Sequence, residues 1–433
     1  MTSASVPSPA PSYKWRVVLM LWCVCFFNYA DRQSIAAVFP ELEREFGFSK
    51  EQLGLIGSAF MWVYAGGALF AGLVCDRFRR KNLILGGCLF WSFVTMATGW
   101  CSKVGQFVTV RALEGLGETF YFPASMSLTS DYHSARTRSR ALALHQSSVY
   151  AGTILGSWIG AWMAMHWGWR TGFYFFGASG MILATVLLFF LKEPIRGAAD
   201  RSLNPKVEET QLPPLGIADT FRAIFKSPSI LLLMMAFVGA NAVATVFMVW
   251  TPSFLKDKFH YNLAMAGLSG TVFINLASAC SVPVAGWLAD KLSLRYAAGR
   301  VMVQAAGLIC GAVFVFFVGR TANHSTLIVA MTLFGLCKGF YDSGIFASLY
   351  DSLEPRTRGT AVGIMNTIGW GGGAFGPWFV GWIADHGRKA TKIDNMSEAI
   401  SWGGMIYIFA AVLLLIVIYC RQRSGKRSSI QIA

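Results

Sequence analysis

The chain has 433 residues, of which 55% are hydrophobic and 14% are charged, and its formal net charge is +15. It is too apolar and too poor in charged residues for a soluble protein of this length. The positive charge alone would be compatible with a nucleic-acid binder, so the positions of lysine and arginine must decide that question.

Apolar segments recur along the whole chain, and each is long enough to cross roughly 30 Å of hydrocarbon as a helix of about 20 residues. Because backbone groups in lipid must be satisfied within their own segment, each segment is predicted to be helical. The sequence therefore predicts an all-α membrane protein of twelve helices, which lie near residues 15–38, 51–75, 82–101, 104–127, 138–164, 169–191, 229–255, 263–289, 297–318, 326–350, 358–384 and 399–420.

Polar segments divide the chain into a tail, two helical halves, a linker and a second tail. Nothing near the N-terminus resembles a cleaved signal peptide, so we expect the first helix to remain as an anchor. The predicted regions are a disordered tail at 1–13, an N-terminal six-helix half at 14–191, a cytoplasmic linker at 192–228, a C-terminal six-helix half at 229–420 and a basic cytoplasmic tail at 421–433.

Lysine and arginine are concentrated in alternate loops and at the two chain ends, which together hold 24 of the 37, while the opposite loops hold 10. By the positive-inside rule, both termini are expected to be cytoplasmic in a cell (inner) membrane. The basic balance then reports topology and contact with anionic lipid head groups, with no nucleic-acid partner. The nine cysteines show no CxxC spacing, so neither a disulfide framework nor a metal site is predicted.

The chain repeats itself in two places. The loop GLVCDRFRRK from Gly72 corresponds to GWLADKLSLR from Gly286, and each has an acid four residues after glycine with a base directly after the acid. These repeats predict two six-helix halves related by an axis along the membrane normal.

The second repeat is stronger and has an offset of 220 residues. RALEGLGETFYF from Arg111 aligns with MTLFGLCKGFYD from Met331, and the same offset sets Glu118 opposite Lys338. It also pairs Tyr121 with Tyr341 and Gln146 with Asn366. Opposite charges are therefore predicted at equivalent positions of the two halves.

Charged residues inside the predicted helices are the most informative candidates, since such residues are costly in a bilayer and usually are paired or face a water-filled cavity. Helix one carries Asp31 and Arg32 within NYADRQSI. Helix four carries Arg111, Glu114 and Glu118, whose spacing of three and four residues places them on one face. We expect that face to look inward.

The loop from Gly72, with its second copy at Gly286, resembles the signature loop of the major facilitator superfamily, and the resemblance extends from residue 14 to 420. Arg79 departs from it, since that family usually has a second glycine there. The resemblance implies a twelve-helix transporter whose loops latch the cytoplasmic side, a role that falls here on Asp76, Arg77 and Asp290. The alternative is a merely solvated turn.

NYADR together with RALEGLGE resembles the anion:cation symporter branch of that superfamily, which includes sialic-acid, vesicular glutamate and hexuronate transporters. Spinster-type transporters, which carry lysolipids, resemble the chain nearly as well. The resemblance implies that Arg32 binds an anionic group and that Glu118 takes part in proton coupling. Their position inside the helices makes Asp31 and Glu114 further coupling candidates, and the alternative for Glu114 is a structural pair with Arg111. The alternative is a static ion pair between Arg32 and Glu118 that only holds the two halves together.

Elementary chemistry supports these roles without the resemblance. A carboxylate in a low-dielectric environment gains affinity for protons unless a cation lies within a few ångströms. A guanidinium offers a planar fork that fits a carboxylate or phosphate and retains its charge in the membrane.

Further candidates for substrate contact are polar residues in otherwise apolar helices. Lys338 either forms a local ion pair with Asp342 or provides a second positive group from the C-terminal half. Interhelical hydrogen bonding and packing are the ordinary alternative for the remaining candidates, which are Tyr121, His145, Gln146, Tyr341 and Asn366.

The predicted function is secondary active transport, as proton-coupled symport of a small organic anion such as a sugar acid or another carboxylate. A lysolipid carrier of the spinster type is the alternative. A drug or cation exporter comes third, because its cavity would have acids without compensating Arg and Lys, and this chain has both. No nucleophile, metal cluster or phosphate loop supports an enzyme, and no extra soluble domain supports a sensor. We expect a monomer without cofactor or metal, with the anion, protons and the bilayer as partners.

Overall fold

A computed structural model describes residues 11–134, 137–194, 217–353 and 358–430. Within these ranges the regular structure is helical and contains no strand. Residues 1–10, in the predicted tail, and 195–216, in the predicted linker, lie outside the described part.

The N-terminal half contains eight helices: α1 (Pro11–Ala37), α2 (Phe39–Phe46), α3 (Lys50–Arg77), α4 (Arg80–Thr98), α5 (Val104–Glu118), α6 (Tyr121–Tyr132), α7 (Arg138–Trp167) and α8 (Trp169–Phe190). The linker helix α9 (Ile217–Lys226) precedes the C-terminal half, which contains α10 (Pro228–Phe259), α11 (Leu263–Ser293), α12 (Gly299–Arg320), α13 (His324–Asp342), α14 (Ile345–Tyr350), α15 (Arg358–Gly373), α16 (Phe375–His386) and α17 (Lys392–Ile430).

These helices form the twelve predicted spans, so the predicted fold class is confirmed. Three spans are each divided into two helices: the fourth into α5 and α6, the tenth into α13 and α14, and the eleventh into α15 and α16. Six helices of the described part are long and apolar enough to cross a membrane by length and composition alone. The others carry charges or breaks, and they contain the buried charged residues Asp31, Arg32, Arg111, Glu114 and Glu118.

The structure differs from the sequence prediction mainly at helix ends and connections. The short helices α2 and α9 were not predicted, because both carry charged residues and neither is long enough to span a bilayer. The last helix continues through residues 421–430, which were assigned to the tail.

Equivalent glycines let equivalent helices approach closely in the two halves. A Cβ atom on Gly115 of α5 would lie 2.4 Å from the carbonyl oxygen of Phe60 on α3. Gly335 of α13, 220 residues later, is in the same position 2.4 Å from the carbonyl oxygen of Ile274 on α11. Since no side chain fits at that distance, the repeat in sequence is also a repeat in packing.

We call the end of the bundle where α1 begins and α17 ends the terminal face, and the other end the opposite face. The opposite face is closed by contacts between the two halves. Lys50 Nζ of α3 lies 2.7 Å from Asp257 Oδ2 of α10, and the backbone N–H of Glu51 donates to Asp385 of α16 over 2.7 Å. A Cβ on Gly381 would lie only 2.3 Å from the carbonyl oxygen of Lys50, so the helices touch directly.

Candidate functional site

Five charged side chains are buried together in the N-terminal half: Asp31, Arg32, Arg111, Glu114 and Glu118. Each residue is between 1% and 5% exposed. The first two come from α1 and the other three from one face of α5, as their spacing predicted. Burying this many charges is costly unless they are paired with one another, so their pairing determines what the site can do.

Arg32 and Glu118 form the central ion pair of this cluster. The guanidinium contacts Glu118 Oε2 through Nη2, and its Nε donates to the same oxygen over 3.0 Å. The pair joins α1 to α5 within the N-terminal half, so it does not hold the two halves together. Arg111 and Glu114, three residues apart on α5, form the second ion pair.

Aromatic rings surround the Arg32 guanidinium. Its central carbon lies 4.5 Å from the ring centroids of Tyr29 and Phe60, and 5.1 Å from that of Tyr64. Arg111 lies on the same Phe60 ring at 4.9 Å. Cation–π contact stabilises a desolvated cation without neutralising it, so the guanidinium retains its attraction for an anion. Sequence reasoning missed these rings because they are ordinary aromatic residues in apolar helices.

The three acids lie close enough to face one bound cation together. One carboxylate oxygen each from Asp31, Glu114 and Glu118 lies within 4.8 Å of the others. Asp31 accepts hydrogen bonds from the Arg32 backbone N–H at 2.7 Å and from the Thr95 hydroxyl at 3.3 Å. Oε1 of Glu114 and Oε1 of Glu118 are buried with no hydrogen-bond partner in the described residues. When every group is ionised, three carboxylates face two guanidiniums, which leaves one negative charge in excess.

Lys338 occupies the equivalent place in the C-terminal half but in a more open environment. It forms an ion pair with Asp342, and the two side chains are 24% and 38% exposed. Tyr150 of α7 lies within electrostatic reach of both, across the boundary between the halves. Gln146 and Asn366 are also partly exposed.

Three other predicted substrate contacts are buried in the packing of the halves in this conformation. Tyr121 is 1% exposed, donates its hydroxyl hydrogen to the Leu21 carbonyl over 2.7 Å, and lies 3.0 Å from His145 Nε2. His145 is fully buried, and Tyr341 is 2% exposed in the C-terminal half. Contact between these side chains and a substrate stays a prediction, and it would require them to move.

The predicted latch residues lie at the terminal face. The side chain of Asp76 is outside the described part, and Arg77 is exposed. Asp290 is exposed and pairs with Arg300 at 2.9 Å, while Arg300 also contacts Asp351 at 2.7 Å. A gating role for Asp76, Arg77 and Asp290 stays a prediction.

Sequence reasoning missed a buried ion-pair cluster at this face. Arg80, in the loop that begins at Gly72, is 2% exposed and pairs with Asp131 and Glu193. The 220-residue offset contains the signal that could have identified it, because it aligns Arg80 with Arg300 and Asp131 with Asp351. The repeat therefore marks two equivalent ion pairs.

Comparison with known proteins is consistent with this architecture. The sequence matches the family model described as Major Facilitator Superfamily over residues 21–317 and again over 273–431. A bacterial homolog of the human lysosomal transporter spinster, solved in an inward-facing and unoccupied conformation, superposes with a TM-score of 0.76. That match covers 96% of this chain and 98% of the other at 19% identity, so it bears on the fold alone.

Two relatives in sequence are named as transporters. The probable anion transporter 4 of chloroplasts from Oryza sativa subsp. japonica is 26% identical, over 86% of this chain and 64% of that protein, so this chain spans less than two thirds of its length. The probable L-galactonate transporter of Escherichia coli (strain K12) is 26% identical over 94% of each protein. Together with the family match along nearly the whole chain, these findings confirm the predicted family: the chain belongs to the major facilitator superfamily and is a multi-pass membrane transport protein, not an enzyme.

Proposed function

We propose that this transporter carries a small organic anion, such as a sugar acid or another carboxylate, by symport with protons. The observation that carries the proposal is the buried cluster in which Arg32 is shared between aromatic rings and Glu118, with one negative charge in excess. The names of the two relatives, an anion transporter and an L-galactonate transporter, support the same class of substrate.

Competition for one guanidinium links the anion to the proton. Arg32 is occupied by Glu118 when that carboxylate is ionised, so an incoming carboxylate would have to displace it. Displacement leaves an ionised Glu118 buried without its cation, which is strongly unfavourable. A proton on Glu118 removes this cost and frees the guanidinium fork for the substrate.

The same argument gives the direction of coupling. Because binding free energies are reciprocal, a proton that favours the anion at Arg32 is itself favoured by the anion. The excess negative charge of the cluster also favours proton uptake, since a bound anion adds further negative charge to the site. Asp31 and Glu114 are the groups to which a bridging water can pass a proton, because one oxygen of each lies within 4.8 Å of one oxygen of Glu118.

The proposed orientation places the terminal face in the cytoplasm of a cell (inner) membrane, which is supported by the excess of Lys and Arg on that side. A reporter enzyme that works only in the cytoplasm should then be active when it is fused after Ala433. Activity restricted to the other side would contradict this orientation.

The test uses purified protein in liposomes with a labelled sugar acid. Glu118→Gln keeps the shape of the side chain and removes its titration, so we expect loss of uphill uptake driven by a pH gradient. Counterflow of the labelled anion should continue, because it requires only reorientation of the loaded carrier and a neutral Gln resembles a protonated Glu.

Glu398→Gln is the matched control, because Glu398 lies on α17 and is not part of the buried cluster. Its ion-pair contact among the described residues is with Lys389, 3.9 Å away. It should retain both activities. Undiminished pH-driven uptake by Glu118→Gln would contradict the coupling role. Uptake driven by a sodium gradient at constant pH would show that sodium, and not the proton, is the coupling ion. Transport of a lysolipid with no response to sugar acids would contradict the proposed substrate class.

A further inference from the structure

A proline in the C-terminal half leaves one backbone carbonyl without its ordinary partner. Pro252 lies inside α10, four residues after Met248. In an α-helix the N–H of a residue donates to the carbonyl four residues earlier, and proline has no N–H. The Met248 carbonyl therefore needs a donor from outside its own helix.

That donor comes from the other half of the molecule. The side-chain amide of Gln33, on α1, donates from Nε2 to the Met248 carbonyl oxygen over 2.7 Å. Gln33 is 2% exposed and Met248 is partly exposed, so the donor side chain is buried while the bond lies at the edge of the packed interface. The contact joins the N-terminal half to the C-terminal half through a specific hydrogen bond.

The bond lies directly beside the proposed anion site. Gln33 follows Arg32 in the chain, and a narrow cavity between the halves is lined by Arg32, Gln33, Arg111, Met248 and Val249. Closure is tight here, since a Cβ added at Gly57 would lie 2.9 Å from Val249 Cγ1. The Gln33 bond therefore lies in the wall of the cavity that reaches Arg32.

We infer that Gln33 and the Met248 carbonyl form an inner clasp that closes the opposite face over Arg32. In the closed state the packing around Gln33 limits the access of water to the carbonyl, and Gln33 is its donor. When the opposite face opens, water enters the path and can satisfy both groups. The bond therefore stabilises the closed state selectively, and Pro252 is the residue that creates the requirement for it.

The inference is tested by hydrogen–deuterium exchange of the full chain in lipid nanodiscs, at constant pH and without substrate. Gln33→Leu removes the donor, so peptides at the opposite-face ends of α1, α3, α10 and α16 should exchange about fivefold faster, the factor expected when one intramolecular hydrogen bond is lost. Peptides at the terminal face should exchange more slowly.

A double-mutant cycle isolates the bond from general loosening. Pro252→Ala returns a backbone N–H to the Met248 carbonyl, so in that background Gln33→Leu should change exchange less than twofold. Pro283→Ala is the matched control, because Pro283 also lies inside a membrane helix of the same half. In the Pro283→Ala background the effect of Gln33→Leu should be retained.

Equal effects of Gln33→Leu in the native and Pro252→Ala backgrounds would overturn the inference, and so would unchanged exchange in the native background. If Gln33→Leu does not yield monodisperse protein, Gln33→Asn replaces it, since the shorter amide does not reach the carbonyl, and the same outcomes apply. Because no substrate or pH gradient is used, failure of the clasp is distinguishable from failure of proton coupling.

Discussion

The two halves carry their charges in different surroundings, although they repeat each other in sequence and packing. In the N-terminal half, Glu118 belongs to a cluster of five charged residues that are almost completely buried. In the C-terminal half, Lys338 at the equivalent position has one ion-pair partner among the described residues, Asp342, and both side chains are partly exposed. Electrostatic energies fall as the effective dielectric constant rises, so gaining or losing one proton has a far larger effect in the buried cluster than beside Lys338.

The same contrast is found at the terminal face. Arg80 is buried between Asp131 and Glu193, whereas Arg300, at the equivalent position, is 25% exposed between Asp290 and Asp351. Two ion pairs at equivalent positions therefore need not contribute equally to the free energy of unfolding. Burial decides whether the pair is a strong constraint or a weak surface contact.

The largest expected effect comes from the buried cluster. Arg32→Ala should abolish both pH-driven uptake and counterflow of a labelled sugar acid, because the site loses the cation that we propose binds the substrate. Arg32→Lys keeps the charge but loses the planar fork, so it should retain a measurable fraction of counterflow. Counterflow by Arg32→Ala at the native rate would show that the anion binds elsewhere.

At the terminal face, the expected change is in stability. Arg80→Met leaves Asp131 and Glu193 without this cation in a partly buried place, so the free energy of unfolding should fall by roughly 3–5 kcal/mol, the range for breaking a buried pair. The measurement is thermal unfolding in detergent. Arg300→Met is the matched variant, and its loss should stay within about 1 kcal/mol because solvent screens that pair. Equal losses in both variants would remove the distinction between the halves.

The smallest expected effect comes from the partly exposed pair. Lys338→Ala should weaken anion binding by roughly tenfold, equivalent to about 1.4 kcal/mol, if Lys338 adds a second positive group to the shared cavity. Adding Asp342→Asn should not restore affinity. Affinity is read from the concentration dependence of counterflow, and recovery in the double variant would show that only the local ion pair matters.

The helices, the repeat and the identity of the charged residues were accessible from sequence because they depend on local properties. Twelve apolar segments predict twelve spans whatever their arrangement, and the 220-residue offset is visible without a structure. The spacing of Arg111, Glu114 and Glu118 fixes their common face, since helix geometry alone requires it. The short helices α2 and α9 were missed because no hydrophobic span marks them.

The orientation of side chains within the bundle could not be predicted in the same way. Tyr121 and Tyr341 follow Glu118 and Lys338 by three residues, yet in this conformation they point into the packing of their own halves. His145 is likewise enclosed beside Tyr121. Neighbouring helices decide which side of a polar residue faces a cavity, and a linear sequence does not specify the rotation of one helix against another.

By itself, the sequence determined a twelve-helix membrane protein of two related halves with charges placed inside its spans, because apolar length and periodicity are properties of single segments. The tertiary structure alone decided that Arg32 pairs with Glu118 among aromatic rings, that Arg80 is buried where Arg300 is exposed, and that Gln33 reaches the carbonyl freed by Pro252. Each of these depends on groups that lie far apart in the chain, and the effect of a buried charge or an unpaired carbonyl is set by what surrounds it.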